Sequence, residues 1–62
     1  MKIEYDAETD SLYIRLRSGS YSESEEVKPG IVFDFDADGK LIAIDIDHAS
    51  EIVDVRHLPA SV

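Results

Sequence analysis

The sequence predicts a small α+β domain in which four or five antiparallel strands form one β-meander sheet and a short C-terminal helix packs on one face. Two observations support this prediction: Asp38-Gly39 lies between two runs of alternating apolar and polar residues, and the alternation weakens after Asp47. Asp-Gly flanked by alternating hydrophobic residues is the strongest short-range signal of a β-hairpin. No linker or internal repeat divides the chain, so residues 1–62 are expected to form a single domain.

The Asp38-Gly39 hairpin also predicts a strand register. With these two residues at the centre of the turn, three apolar pairs lie opposite each other: Phe35 and Ile42, Phe33 and Ile44, and Ile31 and Ile46. All six side chains then share one face, because successive residues of a strand point to opposite faces. A three-residue loop would shift the pairing by one residue and place Asp34 opposite Ile42, so the pattern favours a loop of even length.

Two further strands and an edge strand are predicted before this hairpin. Ile3 and Tyr5 alternate with polar residues and can pair with Ile14 and Leu12, which aligns two apolar sides. Residues 21–28 form a weaker strand candidate that contains three glutamates. Charged side chains are typical of edge strands, where they discourage pairing with other chains. We therefore expect this acidic strand at an edge of the sheet.

The segment after the last strand is predicted to be a helix. Ser50 suits the N-cap position, Glu51 suits the first turn, and Pro59 is expected to end the helix. Its apolar stripe would consist of Ile52, Val55 and Leu58. The β-branched residues of 52–55 also allow a final strand, and this alternative stays open. The predicted core under the helix consists of Ile31, Phe33, Phe35, Ile42, Ile44 and Ile46, completed by Leu12, Ile14 and Leu16.

Size and charge limit the functions that the chain can have. A domain of 62 residues buries only about 60% of the surface of its unfolded chain, and no Cys supplies a disulfide or a thiolate metal site. We therefore expect a homo-oligomer, with a dimer favoured. The net charge of -8 disfavours nucleic acids and anionic membranes as partners and suits a small basic protein. Without an N-terminal apolar stretch, the expected location is the cytoplasm.

A series of short segments, in this order and spacing, resembles a prokaryotic family catalogued as domain of unknown function 2283. The segments are Tyr5-Asp6, Asp10, Leu12-Tyr13-Ile14-Arg15-Leu16, Glu25-Glu26-Val27, Pro29-Gly30, Asp34-Phe35-Asp36, Asp38-Gly39-Lys40-Leu41, an Ile-Asp-Ile run and Ala49-Ser50. The resemblance covers residue 1 to about residue 52, and Asp45 stands where typical members are expected to carry Glu. It implies a small stand-alone sheet protein with no established activity, cofactor or catalytic residue. Some members are encoded beside small toxin-like proteins, which implies an antitoxin-like role for part of the family.

Two chemical alternatives depend on the aspartates. Residues 34–39 match the start of a calcium-binding loop, with Leu41 at the eighth position and Asp45 at the twelfth. The flanking segments are predicted strands rather than helices, so we favour a hairpin whose acids face solvent. Asp34 and Asp45 are also expected to lie diagonally across the hairpin, at roughly 7 to 8 Å. Such a pair could serve a hydrolase if one pKa were raised, but solvated acids or acids paired with Arg15 and Arg17 are favoured.

The sequence therefore predicts a non-enzymatic, acidic protein-interaction module that associates with itself and binds a small basic partner. No catalytic residue, cofactor or metal ligand is assigned. The candidate interaction face consists of Tyr13, Arg15, Asp34, Asp36, Leu41 and Asp45. His48 and His57 are expected at the surface or at a helix cap, because two histidines without a third ligand make a weak metal signal. Calcium binding through the Asp34 to Asp45 loop is the alternative, followed by an aspartate-dependent hydrolase.

Overall fold

The computed structural model describes residues 1–58, which form an open five-stranded antiparallel sheet. The strands are β1 (Lys2–Asp6), β2 (Ser11–Arg15), β3 (Glu23–Lys28), β4 (Ile31–Phe35) and β5 (Leu41–Ile46). Their order across the sheet is β1-β2-β5-β4-β3. The antiparallel sheet is therefore confirmed. In this part of the chain, no helix has the length and apolar character needed to cross a membrane.

The predicted meander is wrong, because β5 lies between β2 and β4. Strands β3, β4 and β5 follow one another through two hairpins, and β2 pairs with β5, which is a Greek-key arrangement. Leu12 lies opposite Ile46 and Ile14 lies opposite Ile44 in this added pair. The most apolar strand thus occupies the centre, while the acidic β3 stays at an edge.

Most of the predicted registers are confirmed. Tyr5 pairs with Leu12 and Ile3 with Ile14 in the first hairpin. The Asp38-Gly39 hairpin, which joins β4 and β5, contains two of the three expected apolar pairs. They are Phe33 with Ile44 and Ile31 with Ile46. The third expected pair is wrong, because Phe35 lies opposite Leu41 and not opposite Ile42.

The loop between β4 and β5 causes the changed pairing of Phe35, because it has three residues instead of the expected two. The Asp36 N–H donates to the Lys40 carbonyl at 2.9 Å, and the Gly39 N–H donates to the Asp36 carbonyl at 3.0 Å. Gly39 has φ +82°, the left-handed conformation that completes a three-residue hairpin loop. Ile42 is then an extra residue in β5, and this bulge restores the expected pairing from Asp34 and Ala43 onward.

The C-terminal segment contains two short 3-10 turns, at Ala49–Glu51 and Val55–His57, where the sequence predicted a helix. Ser50 is not an N-cap residue, since His48 precedes the first turn in a left-handed conformation at φ 53°. The β-branched residues between the turns are poor helix formers, which helps explain why no longer helix forms. Ile52 is 48% exposed and does not belong to a buried stripe. Pro59, the expected helix end, lies outside the described residues.

The core lies between this C-terminal segment and one face of the sheet. Leu12, Ile46 and Ala49 form its buried centre. The partly buried apolar residues around this centre are Ile3, Tyr5, Ile14, Ile31, Ile44, Val53, Val55 and Leu58. The predicted core was therefore right for strands β2, β4 and β5 near the C-terminal segment. Phe33 and Phe35 are only half-buried, and their rings meet edge to face at 6.4 Å.

Candidate functional site

The face of the sheet opposite the core carries four of the six residues of the predicted interaction face. Tyr13 lies opposite Asp45, while Arg15 and Asp34 each lie opposite Ala43. We call this surface the polar face. The structure therefore brings Tyr13, Arg15, Asp34 and Asp45 together; whether they bind a partner stays a prediction.

Asp36 and Leu41 lie elsewhere. The Asp36 carboxylate Oδ1 accepts the N–H groups of Asp38 and Lys40, both at 2.9 Å, and thereby holds the hairpin loop. These hydrogen bonds, first of all the one from Lys40, lower the Asp36 pKa. Leu41 lies opposite Phe35 because of the bulge at Ile42. Residues opposite each other share a side of the sheet, so Leu41 lies on the side of the phenylalanines.

Asp34 is the one buried charged or polar residue of the described chain, with 4% of its surface exposed. The Ser24 hydroxyl donates to its Oδ1 at 2.5 Å, from the position directly opposite on β3. Its Oδ2 is buried without a hydrogen-bond partner. The expectation of a solvated or arginine-paired acid is therefore wrong for Asp34.

Asp45 lies diagonal to Asp34, as the sequence predicted, because Asp34 pairs with Ala43 and Asp45 with Val32. Burial raises the pKa of Asp45 to about 6, together with the nearby negative charges of Asp34 and Asp47. A carboxylate in the neighbourhood disfavours the charged form of a second carboxyl group. Asp45 is thus the carboxyl group of residues 1–58 whose pKa is strongly raised.

Arg15 does not neutralise this pair. Its guanidinium donates to the Tyr13 hydroxyl at 3.1 Å, to the Arg17 carbonyl at 3.1 Å and to the Gly19 carbonyl. It also lies 5.4 Å from the centroid of the Tyr21 ring, and the Tyr21 hydroxyl bonds to that of Tyr13. Arg15 therefore fastens the connection of residues 16–22 against the polar face.

The same connection covers the bulge in β5. The Ile42 carbonyl accepts the N–H groups of Leu16 at 2.7 Å and Arg17 at 3.3 Å. The Ile42 side chain is fully buried, and its Cδ1 would lie 3.5 Å from a Cβ on Gly19. Ile42 thus packs against residues 16–22 and not in the cluster around Leu12, where the sequence placed it.

The geometry gives little support to calcium binding or to an aspartate-dependent hydrolase, the two alternatives from the sequence. Residues 1–58 contain no group of three or more His, Cys, Asp or Glu side chains placed to hold a metal ion. Two surface depressions, of about 510 and 190 Å³, are lined by residues 50–56 and by Met1, Lys2, Arg15, Arg17 and Ser18. Neither includes Asp34 or Asp45, so the acid pair does not face either depression.

The histidines lie at the surface. His48 is 77% exposed in its side chain and lies 3.8 Å from the Glu51 carboxylate, while His57 lies 2.8 Å from the Asp54 carboxylate. Ser50, which lies between them in the sequence, donates its hydroxyl to Asp10 Oδ2 at 2.7 Å. The expected surface role of the two histidines is confirmed.

Strand β3 forms the outer edge beside β4, as the sequence predicted. All six of its residues are exposed. Glu25 lies opposite Phe33 and Glu23 opposite Phe35, so two acidic side chains border the half-buried aromatic pair. The opposite side of the strand carries Ser24, which contacts Asp34 as described above.

Sequence reasoning missed Tyr21 and Ser24 as parts of the polar face. Tyr21 is an isolated aromatic residue in a Ser- and Gly-rich connection, and that contrast is the one signal that could have singled it out. Ser24 could only be placed opposite Asp34 with the β3–β4 register, which a bulge between Glu26 and Lys28 obscures.

Comparison with known proteins identifies a family. No curated protein and no solved structure matches the chain. A family model described as "Protein of unknown function (DUF2283)" matches residues 2–50, which span all five strands and the first 3-10 residues after them. The chain therefore belongs to the DUF2283 family of proteins of unknown function.

Proposed function

We propose that this protein is a non-catalytic, acidic interaction module that binds a small basic protein through the edge strand β3. The observation that supports this most is the exposure of all six β3 residues at an outer edge of the sheet. An edge strand offers unpaired backbone groups to a strand of a partner, and side-chain contacts then supply specificity.

Charge favours a basic partner over an acidic one. Glu23, Glu25 and Glu26 lie on the strand itself, and the whole chain has a net charge of -8. Complementary charge mainly speeds the encounter and excludes wrong partners. Phe33 and Phe35 next to the glutamates offer apolar contact area, which the glutamates alone lack. An antitoxin-like complex with a co-encoded basic protein in the cytoplasm is the form that we propose.

Self-association is part of the proposal. The described residues bury only five hydrophobic side chains, namely Leu12, Ile42, Ala43, Ile46 and Ala49. A core of this size gives little stability to a monomer, and association is a common remedy. We propose a homodimer.

The test is the solution mass of the purified protein by light scattering, alone and after co-expression with the protein encoded next to it. We expect a dimer alone and a stable complex with a basic neighbour. Glu25→Lys on β3 should weaken the complex at least tenfold, whereas Glu8→Lys, in the exposed loop after β1, should have little effect at the same change of charge.

Two results would contradict the proposal. A monomer that binds no co-encoded protein would reject the interaction module as a whole. A complex that Glu25→Lys and Glu8→Lys weaken equally would reject β3 as its site and leave only a general effect of charge.

A further inference from the structure

The unpartnered Oδ2 of Asp34 is the most unusual polar atom in the described structure. It is buried, and Asp34 as a residue is 4% exposed. A buried carboxylate oxygen without a hydrogen bond is costly, because the group has lost its water and gained nothing in exchange. A hydrogen-bond donor is therefore expected next to it.

The surrounding elements offer no ordinary donor. Ser24 on β3 is used by the other oxygen of Asp34, at 2.5 Å. Tyr13 on β2 and Tyr21 in the connection bond to each other, and Arg15 binds Tyr13 and two carbonyls. None of these three side chains makes a hydrogen bond to Asp34 Oδ2. The other charged groups of this face lie on three elements. Glu26 on β3 accepts the Gly30 N–H at 3.3 Å, and Asp47 follows β5. On β1, Lys2 and Glu4 pair at 2.7 Å, and Asp6 accepts the Glu8 N–H at 3.0 Å.

What remains is the carboxyl group of Asp45, which is diagonal to Asp34 on the neighbouring strand. We propose that Asp34 and Asp45 share one proton, held as an O–H···O bond between their carboxyl groups, and that this proton stabilises the centre of the sheet at mildly acidic pH. The proton comes from solvent when the pair forms and returns to solvent as the pH rises. Binding it leaves the pair with a single negative charge and gives the buried oxygen a partner.

The direction of the pH effect follows from the raised pKa of Asp45, which is about 6 in the folded protein against 3.8 ordinarily. A folded state that binds a proton more tightly than the unfolded state is stabilised by that proton. This stabilisation is fully present below pH 3.8 and is lost as the pH rises through about 6.

The experiment follows the carboxyl carbons of the full chain by ¹³C NMR from acidic to neutral pH, and the melting temperature over the same range. One carboxyl of the pair should titrate near pH 6, and the melting temperature should fall across that step. Asp45→Asn replaces the shared proton by an amide that donates to Asp34 without titrating. In this variant the melting temperature should no longer fall near pH 6. At neutral pH it should be higher than that of the natural protein.

Asp47→Asn is the matched control, because it removes the same charge from an exposed neighbour of Asp45. The melting temperature of this variant should still fall with rising pH. The fall should occur at slightly lower pH, since Asp47 contributes to the raised pKa of Asp45. Asp34→Asn serves as the second variant if Asp45→Asn does not fold.

Two outcomes would overturn the proposal. If Asp45 does not titrate above its ordinary range in the natural protein, no proton is shared, whatever the variants do. If calcium or magnesium raises the melting temperature of the natural protein but not of Asp45→Asn, and no carboxyl titrates near pH 6, the pair holds a cation instead.

Discussion

Ser50 is bound to Asp10, which lies 40 positions earlier in the chain, by two hydrogen bonds. Its N–H donates to Asp10 Oδ1 at 3.0 Å, and its hydroxyl donates to Oδ2 at 2.7 Å. The Tyr5 hydroxyl also donates to Oδ1, at 2.5 Å, and the Asp10 carbonyl accepts the Ala49 N–H at 2.9 Å. One residue of the β1–β2 turn thus attaches the C-terminal segment to the first strand.

The first prediction tests this attachment by a double-mutant cycle. Asp10→Asn and Ser50→Ala should each lower the free energy of unfolding. Ser50→Ala removes the hydroxyl that donates to Asp10 Oδ2, and Asp10→Asn replaces the carboxylate oxygen that accepts it. Asn is chosen at position 10 because it tolerates the positive φ of 54° found there. The double variant should be little worse than Asp10→Asn alone, as urea denaturation would show. Fully additive losses would mean that the two residues stabilise the fold separately.

The second prediction concerns the pH of maximum stability. Hydrogen bonds from Tyr5 and Ser50 lower the Asp10 pKa, and those from Lys40 and Asp38 lower the Asp36 pKa. A lowered pKa stabilises the fold above the ordinary value of 3.8 and loses that effect as the pH falls through the folded value.

The Asp45 pKa of about 6 acts in the opposite direction and lowers stability as the pH rises through it. We therefore expect the free energy of unfolding to be greatest between the ordinary aspartate pKa and the Asp45 pKa, at about pH 4 to 6. Urea unfolding measured across the pH range would show this maximum. A stability that rises steadily to neutral pH would contradict the opposing signs of these groups.

The third prediction compares two isoleucines. Ile42 is fully buried under residues 16–22, whereas Ile52 is 48% exposed. Ile42→Ala should lower the free energy of unfolding by about 2–5 kcal/mol, because it leaves a cavity between the sheet and the connection. Ile52→Ala, the same chemical change, should cost less than about 0.5 kcal/mol. Equal effects in chemical denaturation would mean that the connection does not hold Ile42 in solution.

The fourth prediction concerns Gly39 in the hairpin loop. Its φ is +82°, and no atom lies within 4 Å of an added Cβ, so a substitution there tests backbone conformation alone. Gly39→Ala should cost about 1–2 kcal/mol of unfolding free energy. Gly39→Asn should cost less, since Asn enters the left-handed region more readily. If Ala and Asn behave alike in thermal denaturation, the loop must adopt another turn.

The accuracy of the sequence-based predictions depends on whether a feature is local. The pairs Phe33 with Ile44 and Ile3 with Ile14 were predictable, because alternation over neighbouring strands specifies one register. The position of Ile42 was not, because a three-residue loop and a bulge compensate each other and leave the pattern on either side unchanged.

The candidate site shows the same distinction. The diagonal relation of Asp34 and Asp45 followed from the hairpin alone, whereas the burial of Asp34 depends on Ser24 and on a connection that crosses the sheet. The structure of the C-terminal segment did not follow from local signals, because the residue that engages Ser50 is 40 positions away in the chain. The hydroxyl that suggested an N-cap is used by Asp10 instead.

The central position of β5 has a consequence for the order in which the protein can be made. It is the last of the five strands in residues 1–58, yet it joins β2 on one side to β4 on the other. During synthesis, the β1–β2 hairpin and the β3–β4 hairpin leave the ribosome with no strand between them. The inner edges of β2 and β4 therefore stay open until Ile46 has emerged, and during this interval a chaperone or a second nascent chain can compete with β5 for them.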